Sequence, residues 1–193
     1  MALRTRLKPE LMRVFLLLLL MALGSLSASA KTEDELIQAL GSARLGDVTA
    51  ALGQLEKHYP TSAKSVAAIS KLVKDSRSEV RRKAARALGN LHAEVNQSTI
   101  KDLCALLKAS SEDEVMDGLK ALRGLKAPEA VAEILPALKH PSANVVRDAC
   151  RTLAVLGNKD IIPYIEVLLK NSEPEVQKDA KDAIAKLRAK SRT

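Results

Sequence analysis

The sequence predicts an all-α stack of about five helix pairs, and three observations carry the prediction. First, a signature of small residue, aliphatic residue, two variable positions and Leu occurs at Ala51–Leu55, Ala87–Leu91, Ala121–Leu125, Thr152–Leu156 and Ala183–Leu187. Second, its occurrences start 36, 34, 31 and 31 residues apart, which is the period of stacked supersecondary units. Third, hydrophobic residues make up 47% of the chain while aromatics make up 2% and Trp is absent, so the core is built from aliphatic helix contacts. A unit of this length buries too little apolar surface to order itself alone, so neighbours share one interior and the array is the folding unit.

Residues 1–30 stand apart from the array. A basic start through Arg13, an apolar run Val14–Leu23 and small residues ending Ala28-Ser29-Ala30 have the three parts of a secretory signal, with cleavage expected after Ala30. The run is about half of the roughly 20 residues that span a bilayer. No stable membrane insertion is expected after cleavage; the alternative is an uncleaved amphipathic or membrane anchor. No Cys follows the run, so nothing supports lipid attachment at a processed terminus. The expected address is exported, periplasmic or secreted. Of the formal charge of +8, this segment holds +3, leaving a moderately basic +5 for residues 31–193. That excess favours anionic surfaces.

Within 31–193 the expected units are about 33–60, 61–95, 96–126, 127–157 and 158–190. The first opens on a capping box, Thr32-x-x-Glu35. It is expected to hold a short helix with Leu36, Ile37 and Leu40, a turn between Gly41 and Gly46, and a helix with Val48, Leu52 and Leu55 that stops before Pro60. Lys74, Lys108, Lys139 and Lys170 mark the ends of the next four first helices. Eight residues before these lysines stand Val66, Ile100, Val131 and Ile162; five before stand Ile69, Leu103, Ile134 and Ile165; one before stand Val73, Leu107, Leu138 and Leu169. Spacings of three and four make these a buried stripe.

Each stripe breaks at a Ser-containing turn, and three turns read as capping boxes: Ser76-x-x-Glu79, Ser111-x-x-Glu114 and Ser172-x-x-Glu175. The second helices carry the signature. Four residues before its aliphatic member lie Ala84, Gly118, Ala149 and Ala180, a column of small side chains expected at a packed seam. Three residues before it lie Ala85, Leu119, Cys150 and then Lys181, a column that turns polar where the array needs a solvent-facing end.

The stretches Asp75–Gly89 (DSRSEVRRKAARALG), Asn144–Cys150 (NVVRDAC) and Pro174–Ala180 (PEVQKDA) resemble HEAT repeats, specifically the short phycobilisome-lyase-like variety, over about residues 33–190. The resemblance implies a right-handed α-α superhelix whose second helices line a concave, protein-binding surface. In that family a turn Asp and a second-helix Arg often form a ladder between units. Asp75 and Arg81 match, but His140 with Val146 and Asn171 with Gln177 do not, so an interrupted ladder is expected. Some relatives assist chromophore attachment to phycobiliproteins, a role that an export signal disfavours here.

The sharpest functional feature is a basic ridge on the second helices. Arg86, Lys120 and Arg151 stand two residues before the aliphatic member and Arg82, Arg147 and Lys178 six before it, with Met116 and Asp182 interrupting the columns. The ridge is either the surface for an acidic protein partner or an ordinary solvated face. After signal removal only Tyr59 and Tyr164 remain as aromatics, too few for a base-stacking platform, so nucleic acid is not an expected partner.

Catalytic motifs are missing from the sequence: there is no Gly-rich phosphate loop, nucleophile elbow or paired-histidine motif. His58, His92 and His140 fall in different units without metal-ligand spacing and read as turn or helix-end residues. Cys104 and Cys150 read as reduced, half-buried side chains in preference to a disulfide. No catalytic residue, metal or cofactor is expected, and the chain reads as a non-catalytic interaction or scaffolding module. The rival readings are an accessory lyase or chaperone-like factor that presents a client for modification, and a peripheral adaptor on an anionic envelope surface.

Overall fold

A computed structural model describes residues 31–91 and 93–190. The expected signal segment and His92 lie outside the described residues. The described residues from Glu33 onward form one compact unit of paired helices, with no strand among them.

The first pair is α1 (Glu33–Ala39) with α2 (Leu45–His58). The second is α3 (Ala63–Lys71), prolonged by a 3-10 turn over Leu72–Lys74, with α4 (Ser78–Asn90). The third is α5 (Gln97–Leu106) with α6 (Glu112–Gly124). In the fourth, 3-10 turns at Pro128–Ala130 and Leu135–Lys139 flank the single turn α7 (Val131–Ile134), ahead of α8 (Ala143–Leu156). In the fifth, 3-10 turns at Lys159–Ile161 and Val167–Lys170 flank α9 (Ile162–Glu166), ahead of α10 (Pro174–Lys190).

The predicted stripe holds at its centre, where Ile69, Leu103, Ile134 and Ile165 are all fully buried. At its end it holds in the second and fourth units, where Val73 and Leu138 are buried, and shifts in the third and fifth. Leu107 and Leu169 are only half-buried, and Leu106 and Leu168 take the buried place instead. In the third unit the helix tightens at its end, with bonds from Leu107 N to the Cys104 carbonyl and from Lys108 N to the Ala105 carbonyl at 3.1 and 3.2 Å. Three residues per turn instead of 3.6 rotates the apolar face. Prolines at 128, 136 and 163 remove backbone donors in the fourth and fifth units, which keeps their first helices in short pieces.

The capping boxes do not form at the second-helix starts. Neither Arg77 at the start of α4 nor Ser111 at the start of α6 makes a side-chain cap. The glutamates are drawn off by guanidiniums: Glu79 to Arg82, Glu114 to Arg81 and Glu175 to Arg147. A guanidinium outcompetes a neutral amide, Arg82 from Glu79's own helix and Arg81 and Arg147 from the preceding unit. The turns are closed by another column. Asp75, His140 and Asn171 each accept the backbone N–H two residues on, at 2.9, 3.0 and 2.9 Å. True side-chain caps occur at first helices, where Ser62 and Asn96 accept from Ser65 N and Thr99 N.

Successive second helices pack directly on one another along the stack, α4 on α6, α6 on α8 and α8 on α10, while successive first helices touch much less. The tighter layer takes the shorter radius, so the second helices face the inside of the stack. The small column is buried, and a Cβ added to Gly118 would press on Leu106 Cβ at 3.1 Å and the Leu103 carbonyl at 3.4 Å, both of its own unit's first helix. The closest approach between units lies elsewhere. A Cβ on Gly124 would stand 2.0 Å from the Gly89 carbonyl oxygen, and one on Gly89 would stand 2.7 Å from Ala121 Cα. At the far end Lys181 is exposed where Ala85, Leu119 and Cys150 are fully buried, so the column does become polar at the terminal face.

Candidate binding face on the second helices

The basic ridge lies on this inner layer, and its cations are tied to carboxylates of the following unit. Arg82 Nε meets Asp117 Oδ2 at 2.9 Å and its Nη1 meets Asp113 at 3.0 Å; Arg86 Nε reaches the same Asp117 oxygen at 3.5 Å. Lys120 Nζ stands 3.8 Å from Asp148 Oδ2. Arg147 holds Asp179 at 2.8 Å and Glu175 at 3.1 Å, and Arg151 holds Asp179 at 2.9 Å and Asp148 of its own helix at 3.5 Å. Lys178 is exposed and has no ion pair among the described residues.

The acids are the buried members. Asp117, Asp148 and Asp179 retain 4, 7 and 9% of their surface. Above them the cations form two columns. Arg82 and Arg147 sink to 22 and 26% side-chain exposure, while Arg86, Lys120 and Arg151 stay at 44, 45 and 47%. Burial works against the Arg82 charge, but the Asp117 bond and the charges of Asp113 and Glu79 outweigh it and raise its pKa. The Arg147 pKa is raised as well, first by its bond to Asp179. The face therefore has a carboxylate floor and an outer row of half-exposed cations, one in each of the second, third and fourth units, each with more donors than its ion pairs use.

The acidic floor was missed in reading the sequence, although its signal was there. Asp117, Asp148 and Asp179 recur 31 residues apart, one position before the small column. The second unit has Lys83 at that place, and the preceding unit has Ala50 and Gly46 where its cations would be, so the acids begin one unit after the cations, at the first unit with cations behind it. The expected Asp75–Arg81 ladder also takes another form. Arg81 donates to the backbone carbonyls of Asp75 and Ser76 at 2.8 and 2.9 Å and crosses to Glu114 Oε1 at 2.5 Å, while Asp75 pairs with Arg77. Gln177 repeats Arg81's bond, donating to the Asn171 carbonyl at 2.7 Å. The inter-unit ladder thus runs without interruption from α4 to α10, with Arg81 the one residue in it that the resemblance named.

The remaining candidates have structural places. Cys104 and Cys150 are free thiols, and both are buried instead of half-buried. Burial raises both pKa values, that of Cys150 to about 12, which disfavours the thiolate at both. Cys104 borders a cleft of about 420 Å³ with Ile100, Lys101, Lys108 and Glu133, but Lys108 and Glu133 spend their charges on each other at 3.2 Å. His58 is exposed at the end of α2, and His140 closes its turn through Nδ1. Among the described residues no three His, Cys, Asp or Glu side chains lie close enough to hold a metal ion, and no helix is long and apolar enough to cross a membrane.

Paired helices stacked by period and joined through one layer define a HEAT/armadillo-like α-solenoid. The family model for the PBS lyase HEAT-like repeat matches residues 80–109, the end of the second unit and the start of the third. Among solved structures the chain is similar to one in the complex of CpcE and CpcF of phycocyanin lyase from Nostoc sp. PCC7120, with 22% identity over 86% of this chain and 68% of that one, at a TM-score of 0.71. It is also similar to a designed armadillo repeat protein in complex with the peptide (KR)4, with 19% identity over 79% of this chain and 80% of that one, at a TM-score of 0.60. At these identities the likeness shows the fold. No curated protein matched the sequence.

Proposed function

We propose that the protein is an exported, non-catalytic interaction or scaffolding module whose second-helix face binds an acidic segment of a protein partner. The observation that carries this reading is the outer row Arg86, Lys120 and Arg151, half-exposed and each oriented by a buried Asp of the next unit. Cations held in advance lose little freedom on binding, and guanidiniums with spare donors are effective anchors. The designed armadillo protein carries a basic peptide; the charge of the row here calls for the opposite sign. Export rests on the basic, apolar and small-residue parts of residues 1–30. An accessory lyase or chaperone-like role is the second reading, favoured by the likeness to the CpcE–CpcF complex.

The experiment is a comparison of wild-type protein with the triple variant Arg86→Gln, Lys120→Gln, Arg151→Gln in affinity purification from the envelope fraction. These three lie outside the most buried pairs, so the variant keeps its helical spectrum. A partner retained by wild type and lost by the triple variant supports the proposal; a partner held equally by both retires it. Mass spectrometry of the same preparation is expected to show a mature terminus at Lys31.

A further inference from the structure

We propose that the first-helix side of the last two units carries a second docking site, a cleft that takes an apolar side chain of a partner polypeptide and pairs the partner's carboxylate with Lys139. This site lies on the opposite layer from the Arg86–Lys120–Arg151 row and does not depend on it. Along the first helices the terminal lysines form a ladder of their own. Lys74 Nζ meets Asp102 Oδ1 of the next unit at 2.7 Å, and Lys108 Nζ meets Glu133 Oε2 of the next at 3.2 Å. Asp102 and Glu133 each stand six residues before their own unit's terminal lysine. Continued by one unit, the rule calls for an acid at position 164 to receive Lys139. The residue there is Tyr164, 58% exposed, and Lys139 is exposed with no ion pair among the described residues.

A second column changes at the same place. Three residues before the terminal lysines stand Lys71, Ala105, Pro136 and then Val167, and Val167 is 73% exposed. The two changes together open a cleft of about 310 Å³ lined by Leu135, Leu138, Pro163, Tyr164, Val167 and Leu168, with Lys139 the only charged residue on its wall. Exposed Tyr and Val beside one another on a solvated helix lose apolar burial that an ordinary surface position would not forgo. A concave apolar site with one convergent charge is suited to an inserted side chain, the apolar contact giving affinity and the charge giving orientation. The partner supplies the acid that the repeat has given up. A flat anionic membrane would engage the protruding Tyr164 and Val167 and leave the cleft unfilled.

The test uses protein expressed from the full sequence and a synthetic helical peptide presenting Leu and, four residues later, Glu on one face. Peptide titration is followed by amide chemical shifts. The expected result is saturable shifts confined to residues 135–139 and 163–168, weakened about tenfold by Glu→Gln or Leu→Ala in the peptide. Tyr164→Glu restores the repeat's own partner for Lys139 and is expected to weaken binding by a similar factor while the thermal midpoint stays unchanged. The Arg86→Gln, Lys120→Gln, Arg151→Gln variant is expected to bind the peptide as wild type does, which separates this site from the second-helix face. The proposal is overturned if the Gln peptide binds equally well, if Tyr164→Glu leaves binding intact, or if the peptide causes no shifts while phosphatidylglycerol vesicles retain wild type and release Tyr164→Glu.

Discussion

On the second helices every step from α4 to α10 has an ion pair on a carboxylate that is nearly out of solvent, with Asp117, Asp148 and Asp179 at 4–9% of their surface. On the first helices the corresponding pairs stand in water: Lys74 and Lys108 are 70 and 76% exposed, against Asp102 and Glu133 at 21 and 51%. The difference follows from spacing. Second helices approach until the Gly89 backbone nearly touches α6, so charge placed between them is desolvated and must be paired. First helices stay further apart, so their pairs are screened and individually worth little. A ladder of the first kind has to continue from unit to unit, whereas one of the second kind can stop, as it does at Tyr164.

The comparison is broken most directly at the crossing itself. Gly124→Ala drives a methyl into the Gly89 carbonyl and is expected to cost about 3 kcal/mol through overpacking, read as a fall in urea midpoint at unchanged slope. Gly53→Ala, in the interior of α2 with nothing within 4 Å of its added Cβ, is expected to stabilise by about 0.5–1 kcal/mol. Equal effects at the two glycines would mean that the layers are not spaced as described.

Next in size is removal of a floor acid. Asp179→Ala strands Arg147 and Arg151 and is expected to cost about 2 kcal/mol, the cost of breaking a buried pair discounted for the partial exposure of both arginines. Asp102→Ala on the other layer is expected to cost about 0.5 kcal/mol or less, and 0.5 M salt should erase it. The pair of midpoints, measured with and without salt, checks both.

Between them lies the turn that joins the layers. The Arg77 side-chain bond, with help from the Arg77 amide and the charges of Arg77 and Arg81, holds the Asp75 pKa down from 3.8 to about 2. A depressed folded value means the stabilisation is complete above about pH 4 and is lost as pH falls toward 2. Asp75→Asn is expected to cost about 1 kcal/mol at pH 5 and almost nothing at pH 2, seen as converging unfolding curves. Arg77 also donates to the Ser42 and Ala43 carbonyls at 3.1 and 3.2 Å, so this turn ties the first unit to the second.

The smallest effect is kinetic. Cys104 borders a cleft on the first-helix layer at 8% exposure, whereas Cys150 is fully enclosed on α8. Thiol labelling of native protein is expected to modify Cys104 slowly and Cys150 only on unfolding, with two titratable thiols in denaturant. Equal rates would place both cysteines in one environment.

Much of this was legible before any coordinates. The columns predicted most of the buried aliphatic residues, though Leu107, Leu125 and Leu169 are only half-buried; the small column at Ala84, Gly118, Ala149 and Ala180 predicted tight packing, and Lys181 marked the outer end. The polar reading was weaker. Ser-x-x-Glu predicts a cap because it satisfies a local pattern, yet arginines claim Glu79, Glu114 and Glu175. Arg82 and Arg147 read as a bare ridge because their acids lie 35 and 32 residues away.

Repetition of apolar and small residues at helical spacing was enough to settle the number of units, their helical class and the side of each helix that faces inward, because those depend on local periodicity and on the need to share a core. Which charge meets which, how far a carboxylate sinks and where a ladder lapses depend on the distance between units, a quantity set by how backbones at Gly89 and Gly124 fit together. That distance separates a neutralised floor with cations above it from an unguarded lysine beside Tyr164.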